Sequence, residues 1–284
     1  MKLVIVSGLS GSGKSVALHT LEDLGYYCID NLPAGLLNAL ATELNAAGNP
    51  VAEAAVGIDA RNLPQALTHV TDTLSDLKTR QIDSEILFLT CETDILIKRF
   101  SETRRRHPLS DDGRSLADAI EHEKQLLEPI SLSADLFIDT SQTTLHQLRD
   151  LIRQRVVRRD DYSLSLLFQS FGFKHGIPID ADFVFDARCL PNPHWQPELR
   201  RLTGREQAVI DYLEGESQVE DMYTALCTYF DEWIPAFEAD NRSYLTIAIG
   251  CTGGQHRSVY LAERLARHFA GRYPNVTTRH RELS

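Results

Sequence analysis

Eight residues near the N-terminus, Gly8-Leu9-Ser10-Gly11-Ser12-Gly13-Lys14-Ser15, meet the spacing G-x-x-x-x-G-K-S in full. Each type has a physical task. Glycines let successive backbone N–H groups turn toward phosphate oxygens, a lysine neutralises β/γ charge, and a serine hydroxyl can bind Mg²⁺. Lys14, Ser15 and an acid at a neighbouring strand end are the expected catalytic groups, with Ser15 as the metal ligand. Asp59, after Ala55-Val56-Gly57-Ile58, is that acid, and Asp139, after Leu136-Phe137-Ile138, is its rival. Asp30-Asn31 could face the γ-phosphate or a second substrate. Arg99, Arg104, Arg105 and Arg106 form a cluster of the kind small-molecule kinases place on a mobile lid, or a solvated helix face.

A second loop, Gly250-Cys251-Thr252-Gly253-Gly254-Gln255-His256-Arg257-Ser258, again runs from an apolar segment through glycines into a helical pattern. Its C-x5-R-S spacing resembles the phosphate loop of cysteine phosphatases, but spacing alone is weak evidence for attack by the thiol, and a phosphate site without nucleophilic chemistry is the preferred reading. Arg188, His194, Thr252, Gly253, Gly254, Arg257 and Ser258 are the expected contacts for a small phosphorylated ligand. Arg264, Arg267, His268 and Arg272 follow at helix-like spacing, then Arg279-His280-Arg281, a basic stripe suited to RNA phosphates.

These loops need strands before them and helices after them. Strand patterns at 2–7, 26–29, 54–58, 85–90 and 136–138 alternate with helical patterns at 34–47, 64–79, 93–104 and 115–127. That alternation predicts α/β: an N-terminal P-loop NTPase domain, kinase-like, with a parallel sheet. A charge-dense stretch from Arg149 to Asp161 puts a boundary near 155–161, giving domains 1–155 and 160–284. The second, smaller α/β domain offers strands at 163–168, 183–186, 244–249 and 275–278 with helices near 217–233 and 256–270.

The 284 residues carry a formal net charge of −11, which argues against indiscriminate nucleic-acid binding. Charge is segregated: the segment from Gln255 to Ser284 holds six arginines and two glutamates, a surplus of +4 that leaves −15 for the chain before it. No apolar run reaches the roughly 18 residues of a membrane span. The start shows no secretory leader, so a cytoplasmic location is expected, and the five scattered cysteines read as reduced thiols.

The long segments GLSGSGKSVALHTLEDLGYYCIDNLP, DARN at 59–62, RRRHPL at 104–109, FGFKHGIPIDADFVFDARCLPNPHW and GCTGGQHRSV, in this order, together resemble the bacterial RapZ-like nucleotide-binding family. The resemblance implies binding and slow hydrolysis of ATP and GTP, with Gly8 to Ser15 matching the ATP loop and Asp59, Ala60, Arg61 and Asn62 matching the segment assigned to GTP. It also implies self-association, sensing of glucosamine-6-phosphate by the C-terminal domain, and an adapter role that presents a small regulatory RNA to an endoribonuclease. RNA contacts would then fall to Arg264, Arg267, Arg272, Arg279, His280 and Arg281.

Overall fold

The computed structural model describes residues 1–46, 51–62, 67, 70–110, 114–157, 164–240 and 242–283, which divide into two compact units, Met1–Val157 and Arg158–Ser284.

In the first unit, β1 (Lys2–Gly8), β2 (Tyr27–Ile29), β3 (Glu53–Gly57), β4 (Asp83–Thr90) and β5 (Leu136–Asp139) form one sheet in the order β2-β3-β1-β4-β5. Every pairing is parallel. Parallel neighbours cannot be joined by tight hairpins, so helices cross between them: α1 (Lys14–Asp23), α2 (Leu37–Leu44), α3 (Val70–Thr79), α4 (Thr93–Thr103), α5 (Leu116–Leu132) and α6 (Leu145–Ile152). Covering a sheet this way buries both strand faces, which is why β1 and β4 are near-continuous apolar runs rather than alternating ones.

The second unit repeats the logic with β6 (Ser165–Gly172), β7 (Phe183–Asp186), α7 (Gln207–Glu214), α8 (Ser217–Ala239), β8 (Tyr244–Cys251), α9 (Arg257–Ala270) and β9 (Asn275–His280). Its sheet runs β7-β8-β6-β9, again all parallel. Each unit has its own apolar core.

Two helices escape the sequence patterns. Starting at Leu145, α6 carries Leu148, Leu151 and Ile152 inward and runs on through a π-helical turn to Val157, so the charged stretch from Arg149 is first the outer face of a helix. Its start was legible: Thr144 and Gln147 form a reciprocal capping box. The other is α7, where Val209 and Leu213 are buried four residues apart. Part of the helix expected at 64–79 and the start of the strand expected at 163 lie outside the described residues.

Candidate phosphate-binding sites

The glycine loop occupies the turn between β1 and α1. Gly8 and Gly13 have φ of 141° and 110°, which only glycine adopts without strain. A Cβ on Gly8 would run into the Leu89 carbonyl of β4, the strand to which Gly8 is paired. The first turn of α1 holds no acidic residue, so its N–H groups and dipole are open to an anion. Lys14 Nζ donates to the Gly8 carbonyl at 2.7 Å, and partial burial pushes its ammonium below the ordinary lysine value against the pull of Glu123 and Asp59. A cleft of about 790 Å³ opens over the loop, a volume within the range of nucleotide-sized pockets. Ser10, Gly11, Ser12, Gly13, Lys14 and Ser15 line it, while Leu9 is buried behind them. This donor set fits a triphosphate.

Asp59 follows β3, the neighbour of β1, and faces the cleft together with Asp30. Its carboxylate is already engaged. Arg61 grips it through Nε at 3.0 Å and Nη2 at 2.6 Å, and the Arg61 amide donates at 2.9 Å. Burial raises the Asp59 carboxyl, but these bonds and Lys14 outweigh it and hold Asp59 below the usual carboxylate range. A metal at Asp59 therefore requires Arg61 to swing away. The two other residues of the expected GTP segment face the protein: Ala60 is buried, and Asn62 accepts from the Ala34 amide at 2.6 Å and donates to the carbonyls of Leu32 and Asp59. Asp139 is bonded to the Ser141 amide and hydroxyl.

The arginine cluster splits. Arg99 lines the cleft and is tethered there: its guanidinium donates to the Gly11 carbonyl at 3.0 Å and the Thr140 carbonyl at 2.7 Å. Arg104 ends α4 in the left-handed region, and Arg105 and Arg106 line the cleft.

In the second unit the loop after β8 is organised around Cys251. Its sulfur accepts from the Gly254 amide at 3.2 Å and lies 3.1 Å from the Ser258 hydroxyl. Burial pushes the thiol up, but Ser258 and the amides of Ser258, His256 and Gly254 outweigh it and hold Cys251 below its usual value. Ser258, expected to meet a ligand, is instead fully buried against that sulfur. Arg257 is also turned inward, donating to the carbonyls of Arg188 at 3.0 Å and Leu190 at 2.9 Å. This pins the segment after β7 beside the glycine loop, bringing Arg188, Thr252 and Arg257 together. Arg188 lies over the Phe173 ring at 3.9 Å and is clamped by Asp186 as Arg61 is by Asp59. His194 is exposed, with its ring 6.4 Å from that of His256. Gly254 packs against the Glu282 carboxylate, which burial pushes above the usual range.

Two family models match all of the chain but residues 161–163: residues 1–160 match a RapZ-like N-terminal domain and residues 164–284 a RapZ C-terminal domain. The chain belongs to the RapZ-like family. Among its relatives, a nucleotide-binding protein of Thioalkalivibrio sulfidiphilus is 56% identical over 286 residues, covering 100% of both chains. One from Alkalilimnicola ehrlichii is 58% identical over 288 residues, covering 100% of this chain and 99% of the relative. Of solved structures, a shikimate kinase from Acinetobacter baumannii aligns with 54% of this chain and 90% of its own at 15% identity and a TM-score of 0.35.

For this RapZ-like chain the basic stripe is less open than its sequence implies. Arg264 stacks on Tyr223 at 3.7 Å and pairs with Glu220 at 2.6 Å, and Arg272 pairs with Asp231 at 2.6 Å. Arg279 is within 4.0 Å of Asp180, and Arg281 is half-buried. His280 is not a surface residue: it is buried, with Nδ1 2.7 Å from the Ser170 hydroxyl and Nε2 3.0 Å from Glu263. Arg267 remains exposed on α9 beside a cavity of about 220 Å³ that Arg205 and Arg264 also line. No helix among the described residues is long and apolar enough to cross a membrane.

Sequence reasoning missed Glu123. It is fully buried on α5, accepting from the Ser10 hydroxyl at 2.7 Å and amide at 2.8 Å and from His107 at 3.1 Å. A signal existed: Ile120, Glu123, Leu127 and Ile130 fall at helical spacing, so the acid sits on the apolar stripe. Burial raises the Glu123 carboxyl, yet His107, Lys14 and the Ser10 donors outweigh that and hold it below the ordinary 4.5. With the native value depressed, the unfolded chain binds the proton first as pH falls. The contribution of Glu123 to stability is thus complete above about pH 4.5 and drains away below it, through the lower native value. Acid titration should unfold the wild type at higher pH than neutral-pH stability alone implies, and Glu123→Gln should flatten that acid limb. An unchanged limb would assign the acid sensitivity to other carboxylates.

Proposed function

We propose that the N-terminal unit binds ATP and GTP with Mg²⁺ and hydrolyses them slowly, as a regulatory event, and that the C-terminal unit senses glucosamine-6-phosphate and contacts a small regulatory RNA destined for an endoribonuclease. The observation that carries the first half is the glycine loop closing on the acid-free start of α1 with Lys14 beneath an open cleft. Phosphate oxygens would take the loop amides, and Lys14 would leave the Gly8 carbonyl for the β/γ-phosphates. Ser15 and a released Asp59 would hold the metal, and bound Mg²⁺ supplies neutralisation of charge on those phosphates.

The second half rests on family membership and on the convergence of Arg188, Thr252 and Arg257 at a glycine loop. RNA phosphates would meet Arg267 directly and would draw Arg264 and Arg272 from their carboxylate partners. Self-association and a cytoplasmic location belong to the same reading. The test is binding of a labelled structured small RNA to the full-length protein over a salt series, with and without glucosamine-6-phosphate. Because few cations are unpaired, affinity should fall with salt at a log–log slope of only about −1 to −3, roughly −0.9 per phosphate neutralised. A sugar-dependent change of about threefold or more is expected. No binding at low salt would remove the adapter role and leave the nucleotide reading standing.

A second reading, a small-molecule kinase, draws on Asp30, Arg105 and Arg106 lining the same cleft as the loop. Multiple turnovers of phosphate transfer to an added small molecule would favour it over slow hydrolysis.

A further inference from the structure

The sequence RRRHPL contains a buried polar residue that nucleotide binding does not use. His107 is buried at the end of the arginine run, and its ring packs 5.2 Å from that of Phe100. Its Nδ1 accepts from the Leu109 amide at 3.1 Å, so in this arrangement the ring proton is on Nε2, which points at Glu123 Oε2 at 3.1 Å. Glu123 in turn takes the amide and hydroxyl of Ser10, a residue inside the glycine loop. Phe100 lies directly beneath Gly11 of the same loop. A fully buried carboxylate with all its bonds directed to two segments far apart in sequence is costly unless both stay in place, and losing either partner leaves the buried charge short of a donor.

On the reading that this loop binds triphosphate, we infer that Ser10, Glu123 and His107 form a positioning relay that fixes the Arg105–Arg106 segment relative to the glycine loop, so that nucleotide in the loop orders the arginines on the cleft wall. Glu123 is the centre of the relay. It is fully buried and does not line the cleft, so it would touch no phosphate. One of its oxygens serves the loop alone, through the Ser10 hydroxyl, and the other is shared between the Ser10 amide and His107. A shift of the loop on loading is therefore felt at His107, one residue from Arg106, without any contact between ligand and histidine. Lys14 acts in the same direction: without nucleotide it balances part of the Glu123 charge, and with nucleotide it turns that pull to phosphate.

The test uses limited trypsin digestion of the full-length protein, with the peptide bonds after Arg104, Arg105 and Arg106 followed by mass spectrometry, with and without a non-hydrolysable ATP analogue and Mg²⁺. In the wild type the analogue should slow cleavage there by about fivefold or more, since cleavage tracks the population of the open segment. Glu123→Gln keeps the shape but cannot accept all three donors, and protection should fall below about twofold while analogue binding persists. His107→Ala cuts only the second link and leaves Ser10 gripped; it should lose protection with Kd within about threefold of wild type, and it keeps the test decisive should Glu123→Gln not fold. Wild-type protection in a folded variant of either kind, or no protection in a wild type that binds the analogue, would overturn the relay. Wild type that binds no better than Lys14→Ala would overturn the nucleotide reading itself, and the relay with it.

Discussion

Lys14→Ala is expected to raise the Kd for ATP by about 30- to 150-fold, the effect of losing a charge-assisted contact of about 2–3 kcal/mol. Lys14 sits inside the glycine loop itself, whereas the other cleft arginines either are tied elsewhere, as Arg99 is to Thr140 and Arg61 to Asp59, or come from outside the loop, as Arg105 and Arg106 do. Folding should change little. The lost bond to the Gly8 carbonyl is offset by relief from burying an ammonium whose affinity for its proton burial already depresses. Titration calorimetry with ATP and GTP, paired with a thermal melt, separates the two effects. Affinity unchanged in a folded variant would remove the glycine loop from nucleotide binding.

Gly8→Ala should be the most damaging single methyl group in the N-terminal unit. The residue combines φ of 141° with a Cβ position occupied by the Leu89 carbonyl, and that carbonyl also accepts from the Leu9 amide at 3.0 Å. Neither strand can retreat, because β1 and β4 are both central in the sheet. Backbone strain plus a displaced central strand should destabilise the unit by about 3–5 kcal/mol, a large part of an ordinary domain's stability. Urea denaturation should show this as a lowered midpoint, with exchange protection lost first at β1 and β4 amides. A loss under about 1 kcal/mol would mean the strands part more easily than their pairing implies.

Most of the sheet framework and the first loop could be read from the chain because both are local. Gly8, Gly13, Lys14 and Ser15 act through types at fixed spacing, and the buried strands announce themselves as apolar runs. What stayed hidden depends on partners distant in sequence. Glu123 meets Ser10 across 113 residues, and nothing near either one specifies the meeting. The stripe from Arg264 to Arg281 is basic in sequence, but Glu220, Asp231 and Asp180 arrive from other elements and neutralise much of it. Cys251 and Arg257 were visible as a spacing, whereas their inward direction follows from the packing of Ser258 and of the segment 188–190. The helix α6 was obscured because charge on an outer face and charge in a linker look alike until the capping box at Thr144 is weighed.

The tripeptide Asp-Ala-Arg closes the same clamp twice, at Asp59 to Arg61 after β3 and at Asp186 to Arg188 at the end of β7, with amide-to-carboxylate distances of 2.9 Å in both. Closed within three residues, each clamp holds its guanidinium beside its own aspartate, so an anion that recruited the arginine would first have to replace that carboxylate. It also presents a dipole in place of a bare positive charge. On the proposed ligand-binding reading, such a site would favour an anion able to draw the arginine off its aspartate over one that merely carries charge.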